Sequence, residues 1–176
     1  IAIDAPVKHA VFDQLAFGDN RADVQKKLMA SQFVKSGANE AFIGRTGLNG
    51  IFRTREKIGG LDATLYFDWT ESGGLKEITL QTDPLPAESL DDRLTPCWKE
   101  FIKLLTTLHG APINANNVLD IKSLQDGAMS ATHLWKLDPR GSILLGAARE
   151  SDGYQIAVRF TTEDFKPVVT SATEPQ

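Results

Sequence analysis

The chain reads as an α+β protein. It is expected to form two tandem units, each a helix followed by an antiparallel meander, sharing one curved antiparallel sheet with both helices packed on one face. Three observations predict this. An apolar stripe of helical spacing occupies the middle of the chain. A strict two-residue alternation runs through residues 61–69. The order helix, then loop, then strands occurs once in each half. The units are residues 15–82 and 95–162, joined by a Pro-rich linker at 83–94. An N-terminal extension (1–14) and a loose tail (163–176) flank them.

The central helix is the clearest element. Thr95 is placed to cap it, and Pro96 suits the first helical position, where a missing N–H costs nothing. Trp98, Phe101, Ile102, Leu105, Leu108 and His109 then recur on one face, with Lys99, Glu100 and Lys103 elsewhere. Gly110 ends the helix and Pro112 prevents its resumption. A first helix is expected from Asn20, with Asp23 as its capping-box-like partner and Val24 and Leu28 buried.

Strand signals follow each helix. In the first half they are residues 51–58, then 61–69, then Lys76–Thr82 after the Gly73-Gly74 turn. Leu61, Ala63, Leu65, Phe67 and Trp69 point one way, and Asp62, Thr64, Tyr66 and Asp68 the other. In the second half they are Ala131–Leu137, Ser142–Arg149, and an alternating run through Tyr154, Ile156, Val158 and Phe160, separated by turns at 138–141 and 151–153. Candidate fourth strands lie at Glu40–Gly44 and Val118–Lys122. The two halves suggest an internal duplication; the alternative is that they match only in the order of their elements.

The 176 residues suffice to bury a core, and 41% apolar with 24% charged residues excludes a disordered or collagen-like chain. The net charge of −4 argues against a protein built to wrap nucleic acid. No apolar run is long enough for a transmembrane helix. The single cysteine, Cys97, excludes an internal disulfide. A start at Ile1 rather than Met fits a removed signal peptide or a cut made for expression.

Catalytic and metal signatures are sparse. Gly-x-Ser-x-Gly, His-Glu-x-x-His and Walker patterns do not occur. The glycine-rich segment 44–50 precedes a strand-like run rather than a helix, so it reads as a wide turn and not a phosphate cradle. His9, His109 and His133 lie far apart. His109 closes a helix, where a partial positive charge favours the dipole, so no metal site is expected. Cys97 falls in the first turn of its helix, where the dipole lowers a thiol pKa, but a small buried residue beside Trp98 is the simpler reading. Asp91-Asp92, Glu163-Asp164 and Glu150 with Asp152 fall in loops. Asp62 and Asp68 stand roughly 20 Å apart along one strand, too far for paired-carboxylate chemistry. No cofactor is expected.

The polar sheet face carries the main candidate site. Arg53, Arg55 and Lys57 alternate beside Tyr66 and Asp68, and Arg159 joins from the second half. Arginine and tyrosine are the residues protein interfaces favour. A solvated face with cross-strand ion pairs, such as Arg55 with Asp68, is the competing reading. The alternative function is a small-molecule binder or enzyme using a cavity between helices and sheet near His133 and Trp135.

Some strings resemble a known family. Gly18-Asp19-Asn20-Arg21-Ala22-Asp23-Val24-Gln25-Lys26-Lys27-Leu28 is similar to the helix-opening motif of small bacterial envelope domains. Leu108-His109-Gly110-Ala111-Pro112 is close to that family's helix exit, with one extra residue. Leu65-Tyr66-Phe67-Asp68 followed by Gly73-Gly74-Leu75-Lys76-Glu77-Ile78 is similar to its strand pair. The family is the SmpA/OmlA-like group, whose tandem form is of the β-lactamase-inhibitor-protein type. The first helix departs from it in lacking a Gly-x-Pro exit, and Cys97 is not placed to carry a lipid anchor. The resemblance implies a tandem α+β fold, a periplasmic or secreted location, and a non-catalytic role in binding another protein.

Overall fold

A computed structural model describes residues 9–38, 43 and 47–166. Its elements, in order, are β1 (Ala10–Phe12), β2 (Leu15–Ala16), α1 (Arg21–Met29), β3 (Val34–Ser36), β4 (Phe52–Thr54), β5 (Ala63–Trp69), β6 (Leu75–Thr82), α2 (Thr95–His109), β7 (Asn114–Ala115), β8 (Met129–Lys136), β9 (Ser142–Glu150) and β10 (Gly153–Thr161). β1 and β2 form a small hairpin. The other eight strands form one antiparallel sheet in the order β3-β4-β5-β6-β10-β9-β8-β7. Each half thus supplies a helix and four strands, and the halves meet where β6 pairs with β10.

α1 forms where its cap dictates. Asn20 is extended, and its side chain accepts the Asp23 N–H at 2.8 Å. Asp19, only 2% exposed, accepts the Ala16 N–H and the Lys27 ammonium at 2.7 Å, tying the preceding turn to the helix. Val24 and Leu28 are the buried positions, as the spacing requires.

α2 starts differently from the expectation. Thr95 is not its cap. A short 3-10 turn (Ala87–Ser89) and a π turn (Leu90–Leu94) run straight into it, and the Thr95 N–H bonds to the Leu90 carbonyl. The wider π turn suits the approach to Pro96, which has no N–H to continue a regular ladder. The expected linker is therefore ordered, and Leu85 also bridges to Tyr154. Gly110, at φ 82°, terminates α2 as expected.

The registers give the sheet two chemically distinct faces. On the inner face, Phe67, Ile78, Phe160, Ile143 and Trp135 form one row across five strands, and Leu65, Leu80, Val158, Leu145 and His133 form the next. Val24 and Leu28 of α1 and Cys97, Trp98, Phe101 and Leu105 of α2 join the apolar residues of these rows in a single core through both halves. On the outer face, Tyr66, Thr79, Arg159, Leu144 and Leu134 form one row; Thr64, Gln81, Ala157, Gly146 and Ala131 form another, which Arg53 extends.

Several boundaries move. The strand expected at 51–58 stops at Thr54, with only an Ile58–Leu61 bridge beyond it. Residues 118–122 are not a strand; β7 lies earlier, at Asn114–Ala115. The candidate strand at 40–44 lies outside the described residues except for Ile43, which is buried. Residues 10–14 belong to the β1–β2 hairpin, with Val11 in the core, rather than to an extension. The start of the tail is pinned: the Phe165 N–H donates to Ser142 Oγ and the Gly141 N–H to Asp164. No helix among the described residues is long and apolar enough to cross a membrane.

Candidate functional site

The predicted site residues divide among three places. Arg53, Tyr66, Asp68 and Arg159 share the outer sheet face. Arg55 does not join them. With β4 ended at Thr54, the Arg55 N–H bonds to the Phe33 carbonyl and its guanidinium donates to Ser31 O at 3.2 Å, which sets it at the mouth of a cleft on the helix side. Asp68 accordingly pairs with Lys76 at 3.4 Å, not with Arg55.

On the outer face most charges are answered within the protein. Arg159 makes a bidentate contact with Glu77, which also accepts from Thr161, and the Phe165 ring lies 5.8 Å from the guanidinium carbon. Hydrogen bonding to Glu77 raises the Arg159 pKa against the effect of burial. Arg53 reaches Asp83 at 3.0 Å and Asp62 at 4.0 Å, and the Asp83 bond likewise raises its pKa. Tyr66, 38% exposed, stands open between them.

His133 and Trp135 are core residues, not a ligand pocket. They are 3% and 0% exposed. The two rings stack at 5.6 Å, and Trp98 of α2 meets His133 edge-on at 5.7 Å. Trp98 Nε1 donates to Thr132 Oγ1, and Thr132 donates its single hydroxyl proton to Leu145 O. Thr132 Oγ1 also lies 2.8 Å from His133 Nδ1, which ties the imidazole into the same buried network. Trp135 Nε1 donates to Gly110 O, pinning the end of α2.

Burial pushes the His133 imidazole below its ordinary value of 6.5. The same cause lowers His109, where the helix dipole was expected to favour the charge; desolvation outweighs it. A depressed histidine pKa means that the unfolded chain binds more protons just below pH 6.5. Stability should therefore be fully present above about pH 6.5 and fall as the pH drops toward the folded-state value, by at most about 1.4 kcal/mol per pH unit for each group. Denaturant unfolding at pH 7.5 and 5.5 checks this. His133→Phe should reduce the loss, and an unchanged loss would count against the assignment.

Cys97 is fully buried, and burial pushes its thiol up to about 12, with Glu100 adding to the shift. It is a packing residue. Gly59, at φ 57°, lies so close that a Cβ there would come within 2.5 Å of the Cys97 Cα. That contact fastens the 55–60 segment to the start of α2.

The fastened segment forms one wall of the cleft. α2 contacts β8 and β9, and α1 contacts β3, so the β6–β10 seam is not among the main contacts of either helix. Leu80, Val158 and Phe160 of that seam line the cleft, which has a volume of about 500 Å³, within the usual range for ligand sites. Phe101, Leu104, Leu105 and Leu108 supply the α2 wall; Phe12, Phe33 and Ile58 stand on the other sides. Three of these residues are poorly covered: Phe33 is 66% exposed, Leu104 39% and Leu108 73%. Arg55, Glu56, Lys57, Glu100 and His109 also line it.

Sequence reasoning missed this site, though a signal existed. Trp98, Phe101, Ile102, Leu104, Leu105 and Leu108 form a wider apolar arc on α2 than one sheet contact can cover. Among the described residues, no group of three or more His, Cys, Asp or Glu side chains is placed to hold a metal. Compared with protein-family models, with curated proteins and with solved structures, the chain matches none of them.

Proposed function

We propose that this chain is a non-catalytic binding protein whose ligand sits in the cleft between α2 and the sheet. The observation that carries this reading is the clustering of Phe33, Leu104 and Leu108, all exposed, around one concave apolar site. Covering Phe33 and Leu108, each about two-thirds exposed or more, returns about 1–2 kcal/mol apiece. The family resemblance adds a periplasmic or secreted setting and an origin by duplication. The mirrored strand order of the two halves supports the duplication.

Thermal unfolding with a simple apolar probe tests the cleft. 1-Decanol should raise the Tm, because a ligand that binds only the folded state stabilises it. Leu104→Glu, at a partly exposed position, should abolish the rise while leaving the protein folded. No rise, or an equal rise in the variant, would contradict the reading.

A second reading, capture of another protein on the outer sheet face, is favoured by Tyr66 standing open between Arg53 and Arg159. Replacing Arg53 and Tyr66 by alanine should change stability by no more than about 0.5 kcal/mol per site and weaken capture of a partner. Unchanged capture would remove this reading.

A further inference from the structure

We infer that the cleft selects a single-chain amphiphile with an anionic head, of the medium- or long-chain carboxylate class; this rests on the cleft reading above. The apolar wall accounts for the chain of such a ligand. The charges at the mouth select the head. On the outer face Arg53, Lys76 and Arg159 each have a carboxylate partner. Among the described residues, Arg55 and Lys57 form no ion pair.

Arg55 is also held in place. Its backbone is bonded to Phe33 and its guanidinium donates to Ser31 O, so the cation stands beside the most exposed side chain of that wall with further N–H donors to offer. A carboxylate matches the guanidinium fork in a bidentate geometry. Two acids also line the cleft, Glu56 and Glu100. Glu100 belongs to the α2 wall and acts on the buried Cys97 thiol, whereas Arg55 is bonded through its backbone to Phe33. Glu56 is flanked in the chain by the two cations. An anionic head beside Phe33 therefore meets Arg55 first.

Binding of monomeric decanoate, 1-decanol and decyltrimethylammonium to the full chain tests the inference, read by calorimetry. Decanoate should bind at least about tenfold more tightly than either of the others, the scale of one charge-assisted hydrogen bond. Arg55→Gln with Lys57→Gln should bring decanoate to within about twofold of decanol and leave decanol binding unchanged. Lys57→Gln alone serves should the double variant fail to fold, and should lower decanoate affinity without touching decanol. Equal binding of decanol and decanoate, or preference for the cationic probe, would overturn the inference and leave the cleft reading standing. Failure of all three probes to bind would end both.

Discussion

Gly146→Ala should break the β8–β9 pairing and cost about 3 kcal/mol, the upper part of the range for overpacking a tight site. A Cβ at this position would come within 1.9 Å of the Ser130 carbonyl oxygen and 2.8 Å of the Ala131 Cα. Both are backbone atoms of a paired strand, so no rotamer change relieves the contact. The cause is local. Gly146 pairs with Ala131, and the register of β8 slips between Ala131 and His133, which brings the two backbones together there. A urea unfolding curve checks it. A midpoint equal to that of the parent chain would show that the strands separate without cost and that the close approach is unimportant.

Trp135→Ala should cost about 3–5 kcal/mol, as for other large aromatic truncations in a core. Trp135 is fully buried, stacks on His133, and holds the end of α2 through its bond to Gly110 O. Trp135→Phe separates these contributions. It keeps much of the volume and loses the hydrogen bond, leaving the Gly110 carbonyl to find another donor, and should cost less than the alanine change. The same unfolding curves give both values. A loss below about 1 kcal/mol for Trp135→Ala would mean that α2 is held mainly elsewhere.

These two positions also mark what was legible in the chain. The long strands were, because alternation over seven or more residues fixes a face: Leu65 and Phe67 are buried and Tyr66 and Asp68 exposed, as their parity requires. The α1 start and the α2 end were legible too, since Asn20 caps through its side chain and Gly110 takes the positive φ that the lack of one allows. The edge strands were not. β3 has three residues and β7 two, too few to show a period, and their pairing is set by the neighbours they meet. The start of α2 was misread because Thr95-Pro96 carries a strong capping signal, whereas the chain arrives there already wound.

The candidate site was legible only in part. That Arg53, Tyr66, Asp68 and Arg159 share a face followed from parity and the pairing of strands. Arg55 obeys the same parity on paper, yet β4 ends one residue before it. The reading of His133 and Trp135 failed for a different reason. A mixed polar–aromatic pair on a strand looks like a pocket until the helix that covers it is placed, and Trp98 fills that space. The apolar arc of α2 hinted at the cleft, but its other walls, Phe12, Phe33 and Ile58, come from short segments with no period to read.

The claim at the centre of this account is that the exposed apolar side chains on the helix side of the sheet receive a ligand. Methyl-resolved NMR during a titration with 1-decanol tests it most directly. The account predicts that the methyl signals of Leu80, Leu104, Leu108 and Val158 shift together and saturably, while those of Leu134 and Leu144 on the outer face stay in place. Shifts confined to the outer face, or none at saturating probe, would contradict it.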